Sequence, residues 1–154
     1  MGCSARSVSN RGAGAGLLRD PDKIQRIASS LVQKLSVPVT AKIRLGWDDQ
    51  SRNYLEVAKI LEDCGISAIT VHARTRKQGY QGLADWDAIS EIKTHASIPI
   101  IGNGDVHNVE DALKLINHSS CDAVMIGRAS LGNPWVFEGK THATISNGEL
   151  FEGI

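Results

Sequence analysis

Residue types that hold anions and move protons recur in pairs along the chain: Lys42 and Arg44, His72 and Arg74, Asn103 and Asp105, Gly127 and Arg128. Gly102-Asn-Gly-Asp105 and Ile126-Gly-Arg128 read as turns just ahead of helices. Free backbone N–H groups and the positive end of a helix favour negative charge there, so a phosphate fits both turns. Arg128 would add a charge-assisted bond. Against this, glycines also serve simply to make tight turns, and no Gly-x-Gly-x-x-Gly fingerprint is present. Lys42 requires an electron-rich partner, either the pyrimidine edge of a flavin or a carboxylate in a structural ion pair. For His72, an ordinary hydrogen-bonding role competes with catalysis. Arg74 and Arg76 fit a solvated loop face, and Tyr80 fits a packing contact. Cys3 lies between Gly2 and Ser4, ahead of the glycine-rich run Gly12-Ala-Gly-Ala-Gly16, where the mouth of a preceding strand is expected. A sulfhydryl there can donate a proton. Cys64 and Cys121 read as small buried apolar residues.

Positioning these groups falls to an alternation of short β-branched runs and amphipathic stretches, the pattern of a parallel sheet with crossover helices. Asp20-Pro21 opens a helix over 21–35, and Gly65 closes another over 52–64. A helix near 85–95 carries Trp86, Ile89 and Ile92, and Asn108 caps one bearing Val109, Ala112, Leu113 and Ile116. Strands are expected over 37–45, 67–72, 98–101 and 122–126. In the first, Thr40, Lys42 and Arg44 share one face, and Val39, Ala41 and Ile43 the other. Measured from Val39 to Ile69, Ile100 and Val124, the strands are 30, 31 and 24 residues apart. That spacing suits successive βα units. The polar residues gather at the C-terminal ends of all four strands. A TIM barrel places its active site there, and a doubly wound sheet also binds ligands at that end. Four similar units without a topology break favour the α/β barrel. A whole barrel takes about 250 residues, so the 154 here correspond to a partial TIM (β/α)8 barrel, about the last four βα units.

Bulk properties narrow the function classes. Lys plus Arg equals Asp plus Glu at 17 each, so there is no general field for nucleic acid or membrane and any RNA contact must be local. Three cysteines without a Cys-x-x-Cys pair argue against a disulfide framework and against a metal knuckle. No apolar run approaches a membrane span and no signal-peptide core is visible, so a cytoplasmic protein is expected.

Taken in order, these segments resemble the tRNA-dihydrouridine synthases, flavin enzymes of the TIM-barrel class. The carriers are Met1-Gly-Cys, Gly12-Ala-Gly-Ala with Leu17-Leu18, and Lys42-Ile-Arg-Leu-Gly-Trp47. Val71-His-Ala-Arg-Thr75 leading to Gly79-Tyr80, Gly102-Asn-Gly-Asp105, and Met125-Ile-Gly-Arg128 with Leu131-Gly-Asn-Pro-Trp135 complete the set. The resemblance implies reduction of a tRNA uridine to 5,6-dihydrouridine, with FMN carrying hydride and NADPH resupplying it. It makes Cys3 the general acid at uracil C5. Lys42, His72, Asn103, Asp105, Gly127 and Arg128 become contacts to FMN, and Arg74 and Tyr80 neighbours of the uridine. The family motif Asn-x-Gly-Cys-Pro is entered here at its second position, and Ser4 replaces its proline. The family's earlier strands, an upstream flavin-contacting glutamine and the C-terminal helical domain that helps hold tRNA have no counterpart. The chain is therefore expected to be a piece of a synthase. Residues 1–137 would be a partial FMN-binding catalytic domain and 138–154 a short C-terminal tail. Another FMN-dependent barrel oxidoreductase acting on a small molecule, or an inactive remnant, are the alternatives.

Overall fold

A computed structural model describes residues 1–139. Most of the expected tail, residues 140–154, lies outside the described residues. The chain begins with irregular backbone, a short helix α1 (Arg6–Ser9) and a 3-10 segment over Gly14–Arg19. Then α2 (Pro21–Lys34), β1 (Thr40–Arg44), α3 (Tyr54–Asp63), β2 (Ala68–His72), α4 (Trp86–His95), β3 (Ile100–Asn103), α5 (Val109–Ser119) and β4 (Ala123–Met125) alternate. Two 3-10 turns, Arg128–Ser130 and Pro134–Glu138, follow.

Local chemistry sets the boundaries. The Asp20 carboxylate accepts from the Lys23 N–H at 3.0 Å, with Pro21 in the first turn of α2. Asp85 and Asn108 cap α4 and α5 in the same way. Gly65, at φ 87°, ends α3 in a conformation that a Cβ would strain. β1 starts only at Thr40, because Pro38 has no N–H to give and Val37 stays exposed. β3 starts at Ile100 and runs through Asn103, so Gly102 and Asn103 belong to the strand and not to the turn after it.

The four strands are parallel and lie in sequential order, the arrangement of consecutive units of a (β/α)8 barrel. Ile43 pairs with Val71 and Val71 with Gly102, and this row packs against the helices. A Cβ on Gly102 would sit 2.9 Å from Leu115 Cδ2 and 3.1 Å from Cys121 Sγ, so this glycine lets α5 close onto the sheet. Ile43, Leu45, Val57, Leu61, Ile69, Val71, Ile89, Ile92, Ile100 and Leu115 are fully buried between sheet and helices. Burial of each such side chain is worth about 1.5–3 kcal/mol. On α5, Ala112 and Ile116 pack against the core as expected and Leu115 is the fully buried contact, while Leu113 and Val109 of the expected stripe face outward. Cys121 is buried as expected; Cys64 is only half-buried and accepts a bond from the Ser29 hydroxyl.

The next row, Arg44 to His72 to Asn103 to Met125, runs across all four strands at their C-terminal ends. Because side chains alternate along a strand, this row and Lys42 lie on the face away from the helices. Register alone thus gathers residues as far apart in sequence as Arg44 and Met125 onto one rim.

Candidate functional site

That rim borders a cavity of about 710 Å³ whose lining includes Cys3, Lys42, His72, Tyr80, Asn103, Asp105, Gly127 and Arg128. Of the nine residues singled out from the sequence, only Arg74 does not line it.

Lys42 projects from β1 and its Nζ donates to Asn103 Oδ1 at 3.1 Å. Asn103 Nδ2 in turn donates to the Met125 carbonyl at 2.8 Å, tying three strand tips together. No carboxylate pairs with Lys42 among the described residues. Burial, and then the neighbouring Arg44 charge, lower its pKa to about 8. A half-buried ammonium held this way favours an incoming electron-rich group. The structural ion pair weighed from sequence is therefore not what holds Lys42.

His72 is 8% exposed, and neither ring nitrogen has a protein partner among the described residues. Burial, followed by the charges of Arg44, Lys42, Arg74 and Arg128, pushes its pKa down to about 3. At neutral pH the ring is uncharged and offers the cavity one N–H and one lone pair.

Arg44 carries more of the site than the sequence indicated. It is 2% exposed, and its guanidinium donates to the carbonyls of Gly2 at 2.9 Å, Thr75 at 3.0 Å and Gly79 at 2.9 Å. One side chain thus fixes the segment bearing Cys3 and both ends of the 75–79 turn. Its partners are backbone carbonyls, which leave no mark in a sequence. Cys3 adjoins no strand among the described residues; it sits exposed in the irregular segment before α1. Its carbonyl accepts from the Ala15 N–H at 2.9 Å. A Cβ on Gly14, at φ 53°, would lie 2.8 Å from that carbonyl oxygen, so the glycine-rich run is what lets the two segments meet.

Arg74 is 2% exposed and not a solvated loop residue. Its Nη2 reaches both oxygens of Asp105 at 2.6 and 2.7 Å and the Gly82 carbonyl at 2.6 Å. Its Nε donates to the Gln81 carbonyl. Asp105 also accepts the Ala84 N–H at 2.7 Å. Burial would raise the Asp105 pKa, but the bonds from Arg74 and Ala84 outweigh it and hold the carboxyl below its ordinary value. Together they pin the 81–84 stretch, after the exposed Tyr80, whose ring stacks under the Arg128 guanidinium at 4.5 Å.

The expected pair of helix-opening turns is corrected on both sides. Gly102 and Asn103 are in β3, and α5 begins only at Val109. Among the described residues the chain after β4 makes two short 3-10 turns and no α-helix. Negative charge at this end is served instead by the exposed guanidinium of Arg128 and by the open space over Gly127, where a Cβ would meet only Asn103 Nδ2, at 4.0 Å. Lys42, Arg44 and Arg128 face the cavity against one carboxylate, Asp105. Among the described residues no group of three or more His, Cys, Asp or Glu is placed to hold a metal ion, and no helix is long and apolar enough to cross a membrane. A flat, electron-rich ligand with an anionic end fits this donor set.

Comparison with known proteins places the chain in a family. The chain is 50% identical over 137 residues to tRNA-dihydrouridine synthase B of Pasteurella multocida, covering 89% of this chain and 41% of that protein. It is 45% identical over 150 residues to tRNA-dihydrouridine synthase B of Pectobacterium carotovorum, covering 97% of this chain and 46% of that one. The chain thus spans less than half the length of these relatives. Among solved structures, (S)-3-O-geranylgeranylglyceryl phosphate synthase from Thermoplasma acidophilum superposes with a TM-score of 0.50 at 16% identity. That match covers 74% of this chain and 51% of that one, and the likeness is one of fold, in keeping with a partial TIM barrel. The dihydrouridine synthase (Dus) family model matches residues 1–150. With that match running through every strand that builds the rim, the chain belongs to the dihydrouridine synthase family.

Proposed function

We propose that this chain is the flavin-bearing part of a cytoplasmic enzyme that reduces a tRNA uridine to 5,6-dihydrouridine, with FMN as cofactor and NADPH as the source of electrons. Residues 1–137 form its partial catalytic domain. The observation that carries this reading is the carboxylate-free Lys42, held by Asn103 at 3.1 Å at the sheet end of a cavity that also takes in Arg128 and Cys3.

The chemistry a bound FMN supplies is hydride to uracil C6. Lys42 and Asn103 offer N–H donors to the electron-rich edge of the ring system, and neutral His72 adds a donor without adding charge. Arg128 and the open backbone at Gly127 receive the phosphate end. Asp105 acts there through Arg128, 3.8 Å away, and through the loop it pins with Arg74. Tyr80, presented by that loop, stands where the uridine ring enters, and Arg74 serves the uridine by holding the loop. Cys3 gives its thiol proton to uracil C5, so hydride and proton arrive on the two carbons of one double bond and water restores the thiol. Arg44, bonded to the Gly2 carbonyl, keeps Cys3 at the cavity.

The test incubates the purified chain with FMN, NADPH and unmodified tRNA and measures dihydrouridine by mass spectrometry beside flavin absorbance. Cys3→Ala is expected to retain flavin and lose product by about 100-fold or more. Retained product in Cys3→Ala would take the proton-donor role away from Cys3, flavin uptake with no product from the unsubstituted chain would favour a small-molecule oxidoreductase, and a protein that takes up no flavin would leave only a remnant.

A further inference from the structure

Beside the cavity, on the same end of the sheet, lies a cationic cluster that the proposed chemistry does not use. Residues 1–19 contain Arg6, Arg11 and Arg19 and no carboxylate, although the chain as a whole has formal net charge zero. The guanidiniums of Arg19 and Arg76 both stack on the ring of Trp47, at 4.8 and 4.5 Å from its centroid. Neither has a carboxylate within 4.0 Å among the described residues. The nearby acids are engaged elsewhere: Asp20 caps the Lys23 N–H and Asp48 binds Lys77. Arg76 also donates to Ser9 Oγ at 3.0 Å and Asn10 Oδ1 at 3.5 Å, which locks the turn after β2 onto α1.

Two cations gathered on one half-buried ring repel, and stacking on the indole offsets only part of that repulsion. An arrangement of this kind is preorganised for an anion: the indole fixes both guanidinium planes, so little side-chain entropy remains to be lost when a phosphate arrives. The cluster adjoins the cavity. Cys3, Ser4 and Ala5 line it directly before α1, and Trp47 and Arg76 follow the C-terminal ends of β1 and β2.

We propose that Arg19, Trp47 and Arg76 form a docking point for the sugar-phosphate backbone of RNA, engaging phosphates that flank the nucleotide presented to the cavity. This rests on the reading of the chain as acting on tRNA. It assigns backbone contacts to a part of the barrel rim itself, so that RNA affinity does not reside wholly in other segments of a longer protein.

The experiment is fluorescence anisotropy of a labelled, unmodified tRNA transcript titrated with the chain and with Arg19→Ala, Arg76→Ala and Lys34→Ala at several salt concentrations. Lys34, at the C-terminal end of α2, lies toward the opposite end of the sheet and is the control. Each arginine variant is expected to weaken binding and to lower the slope of log affinity against log salt by about one, with the control unchanged. Because Arg76 also braces Ser9, circular dichroism melts accompany the titrations; Arg19, which has no such bond, carries the result if Arg76→Ala unfolds. Unchanged slopes and affinities in both arginine variants, or equal losses in Lys34→Ala, would overturn the proposal. FMN absorbance on the same samples separates the two ideas. Flavin bound with unchanged slopes removes the docking point alone, whereas lowered slopes without flavin remove the enzyme reading alone.

Discussion

Lys42 shows how one position sets the behaviour of the site. Below pH 8 its ammonium is charged in a half-buried place that disfavours charge, and an electron-rich ligand relieves that cost. Ligand binding must therefore raise its pKa and take up protons. FMN affinity is expected to be highest below pH 8 and to fall as the pH rises above it, where the free lysine is already neutral. Lys42→Met should bind FMN about tenfold or more weakly and lose that pH dependence, both readable by flavin fluorescence. A fall of equal steepness in Lys42→Met would assign it to another group. Lys42, His72, Asn103 and Arg128 were legible in the sequence because polar residues at the ends of apolar strands stand out against the period of two. Arg44 was visible there but its role was not, since its three partners are the carbonyls of Gly2, Thr75 and Gly79. The burial of Arg74 was hidden for a similar reason, as its partner Asp105 lies 31 residues away on another loop.

Among the elements, the second half of the connection from β2 to α4, residues 81–84, is held by one buried ion pair. Arg74 is 2% exposed, and Asp105 joins it to the Ala84 N–H. Asp105→Asn leaves a buried cation without its counter-charge, at a cost of about 3 kcal/mol. The prediction is a lower denaturation midpoint together with faster hydrogen exchange at Ala84 and neighbouring amides, while the α2 amides remain protected. Uniform deprotection across the chain would show that the pair supports the whole fold and not this loop. Helix starts were well marked by Asp20 and Asn108 because capping is local chemistry, and Asp85 caps α4 in the same way. Strand limits were not: whether Gly102 ends a strand or opens a turn depends on Leu115 and Cys121 packing above it, which no local pattern records.

For the whole molecule, four βα units in sequential order set the cavity, and the resulting burial makes stability depend on pH. His72 has a folded pKa of about 3 against an ordinary 6.5, so the unfolded chain binds a proton that the folded chain rejects. Its contribution to stability is full above pH 6.5 and is lost as the pH falls toward 3. Between pH 6.5 and 5, above the range of the carboxylates, chemical denaturation of the wild type should show a falling stability that His72→Gln flattens. Identical slopes would place the titration elsewhere. The fold class was readable from the alternation of elements and their spacing, because a parallel sheet needs a crossover between every pair of strands. What could not be read was the row Arg44, His72, Asn103 and Met125, which exists only through register.

That row, with Lys42 bonded to its Asn103 and Arg128 following β4, is the basis for placing a flavin ring near Lys42 and its phosphate near Arg128. Parallel fluorescence titrations of the chain with FMN and with riboflavin, which lacks the phosphate, address this placement. FMN should bind about tenfold or more tightly than riboflavin, the worth of one charge-assisted phosphate contact of roughly 1.4 kcal/mol, and Arg128→Ala should erase most of the difference. Equal affinity for the two ligands, or no binding of either, would contradict it.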